Sequence, residues 1–240
     1  MCGFFGAILI EGSIQHPEKF INATQSLIHR GPDEGGWWSD GPYFLGHRRL
    51  SIIAPDNGIQ PMATRDGRYV ITFNGEIYNY LELQNELARE SYDFQTSTDT
   101  EIILAGYSKH GPKFITQLEG MFAFAIIDRK ESTVFLARDR FGEKPLYFGN
   151  IGGTFAFGSE LKALRVVNGG RLEVDRTSLM QLLRWSWIPA PRTVYAGVSK
   201  LLPGHLLRIS AAGDQISYRR YWCAVAEADG VARRPKRGQE

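Results

Sequence analysis

The chain has 240 residues, 43% of them hydrophobic and 22% charged, and a formal net charge of +2. These values are typical of a globular protein with one large domain or two small ones. So small a charge gives no reason to expect binding to nucleic acid or to a membrane surface, and neither is expected as a partner. No apolar run reaches transmembrane length, and the N-terminus lacks the pattern of a signal peptide. Two cysteines at opposite ends of the chain make no disulfide framework, so we expect a soluble cytoplasmic protein.

Cys2 directly follows the initiator methionine, and cysteine is small enough for Met1 to be removed. Removal would leave a thiol and a free α-amine on one residue. An α-amine, with a pKa of about 7.7–8.0, is partly an unprotonated base near neutral pH and could convert the adjacent thiol into a nucleophilic thiolate. The alternative is that Cys2 only opens a β-strand, because the apolar residues 4–10 follow it.

Two adjacent arginines, Arg48 and Arg49, interrupt an apolar, strand-like stretch. They come after a predicted helix from Pro17, a glycine-rich loop over 29–36 and a strand over 43–47. Successive side chains of a strand point to opposite faces, so the two arginines cannot face the same way, and one directed inward needs an anion. The alternative, which periodicity alone favours, is an edge strand with both arginines solvated or salt-bridged.

A strand predicted over 68–73 runs into Asn74-Gly75-Glu76, ahead of a predicted helix over about 78–89. An Asn-Gly pair most often forms a turn, and the local sequence alone favours that interpretation. The alternative is catalytic, because an Asn side-chain amide and a neighbouring glycine N–H can together form an oxyanion hole with two donors.

The next helix is predicted to begin in Thr98-Asp99-Thr100-Glu101 and to end at a glycine and proline, residues 111–112. Thr98 and Glu101 fit a capping box, and Asp99 in the first turn complements the helix dipole. This is a complete structural explanation for Asp99, with which any role in ligand binding must compete.

From Met121 onward the pattern indicates mainly strands. Hairpins are predicted over 122–137, 145–158 and 206–221, with short helices at about 159–164 and 177–185. The strands of the first two hairpins are apolar almost throughout, so we expect them to be covered on both faces.

The segment after Trp222 has no periodicity, and its last ten residues are polar, basic and proline-containing. We expect a disordered linker or tail over 223–240; a weak nucleic-acid-binding tail is the less favoured alternative. The five histidines are scattered without a pair at ligand spacing, so the sequence predicts no metal site.

Several short segments stand in an order that chance does not explain. They begin with Cys2-Gly3-Phe4-Phe5-Gly6 and continue through His29–Asp33, His47–Ile52, Phe73–Asn79, Thr98–Glu101, Gly120–Ala125, Arg138–Tyr147 and Ser159–Leu164. Over residues 2–222 the chain resembles the N-terminal glutaminase domain of glutamine-hydrolysing asparagine synthetases, a class II glutamine amidotransferase domain. Amidophosphoribosyltransferases and hexosamine-phosphate amidotransferases resemble it less, because their sequences usually differ where this chain has His29–Asp33.

The resemblance implies an α+β fold, a four-layer αββα sandwich of the N-terminal-nucleophile hydrolase type with two antiparallel sheets and helices outside. It also implies roles for particular residues. Cys2 would be the nucleophile, with its α-amine moving the proton, and Asn74 and Gly75 would form the oxyanion hole. Arg49 would bind the α-carboxylate of glutamine, and Glu76 with Asp99 would hold its α-ammonium.

The function implied is hydrolysis of glutamine to glutamate and ammonia through a γ-glutamyl thioester on Cys2, the ammonia-supplying half of an asparagine synthase. No cofactor is expected in this chain. ATP and Mg²⁺ would belong to the family's synthetase domain, which these residues lack, so a synthetase domain or chain is the expected partner and no ligase activity is expected alone. The alternatives are a catalytically silent docking or regulatory domain, or the glutaminase half of an amidotransferase with a different acceptor.

Overall fold

The computed structural model of the chain describes residues 1–51, 58–211 and 216–232. Within these residues the strands form two six-stranded antiparallel sheets. Sheet A has the order β10-β8-β9-β1-β3-β2 and sheet B the order β12-β11-β7-β6-β5-β4. The strands are β1 Gly3–Leu9, β2 Glu34–Asp40, β3 Tyr43–Arg49, β4 Met62–Ala63, β5 Tyr69–Ile77, β6 Gly120–Asp128, β7 Thr133–Arg138, β8 Tyr147–Ile151, β9 Thr154–Gly158, β10 Val198–Lys200, β11 His205–Ser210 and β12 Ile216–Arg220.

Helices lie outside the sheets. They are α1 Glu18–Gln25, α2 Tyr80–Arg89, α3 Asp99–His110, α4 Leu161–Val167, α5 Arg176–Trp185 and α6 Ala224–Ala232, with a 3-10 helix at Gly111–Gln117. Helices α1 and α4 pack on sheet A, whereas α3 packs on sheet B, with α2 against α3. Among the described residues, no helix is both long and apolar enough to cross a membrane.

The core has three apolar layers, and strand β1 shows how they arise. Its residue Phe4 belongs to the layer between the two sheets, whereas the next residue, Phe5, packs with Phe20 of α1 on the opposite face. On sheet B, Phe124 of β6 packs in the same way toward Ile103 of α3. Because the strands are buried on both faces, their nearly continuous apolar sequence is explained, and the predicted four-layer αββα sandwich is confirmed.

Two local predictions are wrong. Strand β2 begins inside the predicted glycine-rich loop, because Glu34, Gly35 and Gly36 pair with β3. Strand β5 continues through Asn74-Gly75 without a turn, because β6 pairs with it over its whole length, from Tyr69 to Ile77. In both places the hydrogen bonds of a long ladder outweigh the local preference of glycine and asparagine for turns.

The cap of α3 is as predicted in its main contact, since Thr98 Oγ1 accepts a hydrogen bond from Glu101 N at 3.2 Å. Helix α6 occupies the segment where the sequence led us to expect no regular structure. Alanines, the strongest helix formers, supply four of its nine residues. Residues 233–240 lie outside the described part of the chain, so the expected tail stays a prediction.

Candidate active site

One pocket opens where β1, β3 and β5 approach the N-terminus of α3, and it gathers the six residues singled out above. The described residues that line it include Cys2, Arg49, Asn74, Gly75, Glu76 and Asp99. Two sheets and a helix therefore contribute side chains that are far apart in the sequence.

Cys2 immediately precedes β1, a central strand of sheet A. Its thiol sulfur accepts a hydrogen bond from Leu50 N at 3.4 Å and lies 3.6 Å from Leu50 O, to which the thiol donates. Arg30 Nε fixes its backbone by donating to Cys2 O at 2.9 Å. Burial raises the pKa of the Cys2 thiol, an effect that the Leu50 hydrogen bond only partly offsets. Near neutral pH the thiol is therefore protonated, and attack requires a base.

The base proposed from the sequence is available only after Met1 is removed. While Met1 is present, the nitrogen of Cys2 belongs to a peptide bond and carries no basic lone pair. Met1 is 58% exposed, whereas Cys2 is partly buried. The Met1 sulfur accepts a hydrogen bond from the buried Lys144 Nζ at 3.4 Å.

Both adjacent arginines are buried, on opposite faces of β3, so the edge-strand interpretation is wrong: β3 lies between β1 and β2. Arg48 turns away from the pocket and donates to Gly31 O at 2.9 Å and to Pro32 O at 3.1 Å. Arg49 lines the pocket and forms a salt bridge with Glu34 at 2.8 Å. Strand alternation thus directs only the second arginine to the site.

One edge of β5 presents a row of backbone donors to the pocket. Partner strand β4 covers that edge only at Val70 and Ile71. Farther along, Phe73 N donates to Gln60 Oε1 at 2.7 Å and Ile77 N donates to Asp99 Oδ2 at 3.1 Å. Side chains therefore take the place of a neighbouring strand at these two positions.

The Gly75 N–H lies on the same edge, midway between these two donors. Gly75 is opposite Phe122 in the ladder with β6. Phe122 directs both of its backbone groups to the other side, since its N–H donates to Asp139 Oδ2 and its C=O accepts from Asp139 N. In an antiparallel ladder, the residue opposite such a position points its own N–H outward. A Cβ on residue 75 would lie 2.2 Å from Met121 O, so the close approach of β5 and β6 requires glycine.

Asn74 supplies a second donor. The residue is 1% exposed, and its buried amide nitrogen Nδ2 has no hydrogen-bond partner among the described residues. Buried donors in proteins are nearly always paired, so an unpaired one in a pocket points to a ligand acceptor. With the Gly75 N–H, this nitrogen gives two donors suited to a developing oxyanion.

Asp99 is the first residue of α3 and is 5% exposed. Burial, together with the nearby Glu76 carboxylate, raises the pKa of Asp99 to about 6, although its hydrogen bonds from Ile77 N and other backbone N–H groups act in the opposite direction. Two carboxylates close together in a desolvated pocket favour a bound cation.

Sequence reasoning assigned no role to several residues of the pocket. Gln60, Thr100 and Lys144 line it together with Leu50. Gln60 stands in a segment with no recognisable pattern, and its position depends on contacts with residues 73 and 100. Within the described ranges, no cluster of side chains has the composition of a metal site.

A four-layer sandwich in which a pocket cysteine immediately precedes the inner strand β1 is typical of the N-terminal-nucleophile amidotransferases. The chain matches the family described as "glutamine amidotransferase domain" over residues 1–222, and it belongs to that family.

Curated relatives are asparagine synthetases. The chain is 40% identical over 227 residues to "Asparagine synthetase [glutamine-hydrolyzing] 1" of Bacillus subtilis, an alignment covering 93% of this chain and 36% of the relative. It is 34% identical over 231 residues to the enzyme numbered 3 of the same organism, covering 95% of this chain and 37% of that relative. The chain therefore spans little more than a third of the length of these relatives.

Solved structures share the fold. The glutamine phosphoribosylpyrophosphate amidotransferase of B. subtilis superposes with a TM-score of 0.66 at 21% identity, covering 92% of this chain and 49% of that one. The structure of an enzyme described as the allosteric regulatory enzyme of purine biosynthesis gives a TM-score of 0.68 at 23% identity, with the same coverage.

Proposed function

We propose that the chain hydrolyses glutamine to glutamate and ammonia through a thioester on Cys2. The observation that carries the proposal is the buried Asn74 Nδ2, which none of the described residues pairs, beside the outward Gly75 N–H and in the same pocket as the Cys2 thiol. Donors already in place for an oxyanion are the main requirement of acyl transfer, and a thiol is a competent nucleophile for it.

The charges of the pocket suit a zwitterionic amino acid. Arg49 would pair with the α-carboxylate, and Asp99 with Glu76 would hold the α-ammonium. A guanidinium binds a carboxylate through two parallel hydrogen bonds, which orient the substrate as well as bind it. The side-chain amide carbon of glutamine would then lie beside Cys2 Sγ.

The same base must act in both halves of the reaction, the formation of the thioester and its hydrolysis. After removal of Met1, the α-amine of Cys2 takes the thiol proton as Sγ attacks the amide carbon. The C–N bond breaks, the amine returns the proton to the leaving nitrogen, and ammonia departs. Water then attacks the thioester and gives its proton to the amine. The C–S bond breaks, releasing glutamate and restoring the thiol.

The destination of the ammonia rests on the relatives alone. These relatives are named as glutamine-hydrolysing asparagine synthetases, and the chain covers 36% of the B. subtilis enzyme numbered 1. We infer that this chain is the glutaminase part of such an enzyme, that a synthetase domain or chain is its partner, and that ATP and Mg²⁺ act in that partner. A catalytically silent docking domain is the competing possibility.

The test is release of ammonia and glutamate from glutamine by the purified chain, with the N-terminal mass recorded. Turnover is expected in the chain trimmed to Cys2 and absent in Cys2→Ala, because alanine has no nucleophile. Cys223→Ala is the matched control, since it removes the other cysteine and should retain turnover. A trimmed chain that binds glutamine without hydrolysing it would contradict the proposal and support the silent domain.

A further inference from the structure

Gln60 is a buried polar residue of the pocket to which the proposed mechanism assigns no role. It is 7% exposed and lies directly before Pro61 and strand β4. Its side chain is bonded at both ends: Oε1 accepts from Phe73 N at 2.7 Å, and Nε2 donates to Thr100 Oγ1 at 3.2 Å. A side-chain amide with both ends engaged is held in one orientation.

The first contact lies next to the proposed oxyanion hole. Phe73 immediately precedes Asn74, and its N–H belongs to the outward row of donors on β5 that includes the Gly75 N–H. By accepting from Phe73 N, Gln60 extends the edge strand β4 by one further hydrogen bond. Without it, that backbone donor would be buried and unpaired.

The second contact lies next to the proposed ammonium site. Thr100 follows Asp99 in the first turn of α3 and is 3% exposed. Asp99 is itself bonded to β5 through Ile77 N. Helix α3 is thus tied to the edge of β5 at two places, by Gln60 before the Asn74-Gly75 pair and by Asp99 after it.

We propose that Gln60 is a positioning residue that sets the distance between the oxyanion donors on β5 and the ammonium-binding carboxylate on α3. The proposal rests on the glutaminase function argued above. Gln60 acts through its neighbours. It holds the groups that bind the substrate's amide and the groups that bind its α-ammonium at the separation that one glutamine molecule requires. Misplacement by about 1 Å is enough to cost on the order of 10²-fold in rate.

A double-mutant cycle tests the link. Gln60→Met keeps the length of the side chain and loses both hydrogen bonds, whereas Thr100→Val keeps the branched shape and loses only the contact with Gln60. We expect Gln60→Met to lower kcat/KM for glutamine at least tenfold, and Thr100→Val to act mainly by raising KM. The double variant should be little worse than Gln60→Met alone, because the shared contact is already lost.

The rate at which iodoacetamide alkylates the Cys2 thiol shows whether a variant has lost structure around the site in general. It is measured by mass spectrometry of the peptide that contains Cys2. Since Gln60 does not bond to Cys2, the alkylation rate should stay within twofold of the parent in every variant. Protection of Cys2 by glutamine should weaken in parallel with the rise in KM. Gln84→Met, the same substitution on α2 outside the pocket, should match the parent throughout.

Three results would overturn the role of Gln60: an unchanged kcat/KM in Gln60→Met, additive losses in the cycle, or an alkylation rate that changes together with turnover. If Gln60→Met does not fold, Thr100→Val decides, and an unchanged KM contradicts the proposal. Failure of the proposed function is separate, because it appears as absent turnover in the parent. In that case glutamine protection of Cys2 still compares the variants, and undiminished protection in them rejects the role of Gln60.

Discussion

At the scale of single residues, the side-chain amide of Asn74 is the group that the contacts of the fold explain least. Its Nδ2 is buried with no partner in the part of the chain that the structure describes, a state that normally costs about 1–3 kcal/mol. The proposed mechanism explains why this cost is retained, since the donor would be paired only in the tetrahedral intermediate. A contact made only there raises kcat without tightening substrate binding.

Asn74→Ala should therefore lower kcat by about 10²–10³ while KM for glutamine changes little. Its melting temperature should not fall, because the loss of a buried unpaired donor offsets the lost packing. Asn79→Ala is the contrasting control, because Asn79 donates to Gln117 O at 3.0 Å and accepts from Glu119 N at 3.0 Å outside the pocket. It should lower stability by about 1 kcal/mol and leave kcat unchanged. Steady-state kinetics and thermal unfolding of both variants check this pair, and an unaltered kcat in Asn74→Ala would remove it from the oxyanion hole.

At the scale of elements, Asp99 joins α3 to β5 and carries a cost in stability. Its pKa of about 6 in the folded chain exceeds the value of about 3.9 in an unfolded one. Between these pH values the folded state holds more protons, so the free energy of unfolding falls as pH rises through this window. Above pH 6 the ionised, buried carboxylate costs up to roughly 3 kcal/mol.

Asp99→Asn should accordingly raise the free energy of unfolding at pH 8, with the gain shrinking toward pH 4, and should abolish saturable binding of glutamine. Urea unfolding at the two pH values, with glutamine protection of Cys2, measures both effects. Asp93→Asn is the control, because Asp93 is exposed in a surface pair with Arg65 and should give no comparable gain. An Asp99→Asn chain less stable than the parent at pH 8 would contradict the assignment.

The elements also show what the sequence could and could not predict. Helix α3 could be predicted from its N-terminal cap and its periodicity, and the hairpins from their apolar strands. Strand β5 could not be predicted through Asn74-Gly75, because its continuation depends on β6, which begins at Gly120. The direction of Arg49 was left open for the same reason: it depends on β3 having neighbours on both sides. The proposed roles in the site came from resemblance, and Gln60 had no local signal at all.

At the scale of the whole molecule, the two sheets are joined through their shared core by a polar contact. His47 of β3 and Thr72 of β5 are both buried, and His47 Nδ1 lies 3.1 Å from Thr72 Oγ1. Each lies two residues before a pocket residue on the same strand face, Arg49 and Asn74 respectively. This contact therefore connects the two sheets directly beside the site, two residues before Arg49 on one strand and before Asn74 on the other. Burial, then the charges of Arg49 and Arg48, lower the pKa of His47 to about 3.

His47 should make the sandwich sensitive to acid. The unfolded chain protonates a histidine near pH 6.5, whereas the folded chain protonates His47 only near pH 3. The contribution of His47 to stability is therefore fully present above pH 6.5 and is lost as pH falls through this window, by up to about 5 kcal/mol.

Asp99 has the opposite dependence, so the parent alone does not separate the two groups. His47→Gln does, because glutamine stays neutral and can still bond to Thr72. Its free energy of unfolding should fall less than that of the parent between pH 6.5 and 4, whereas His16→Gln at the surface should follow the parent. Equal slopes for the parent and His47→Gln would show that protonation of His47 does not limit acid stability.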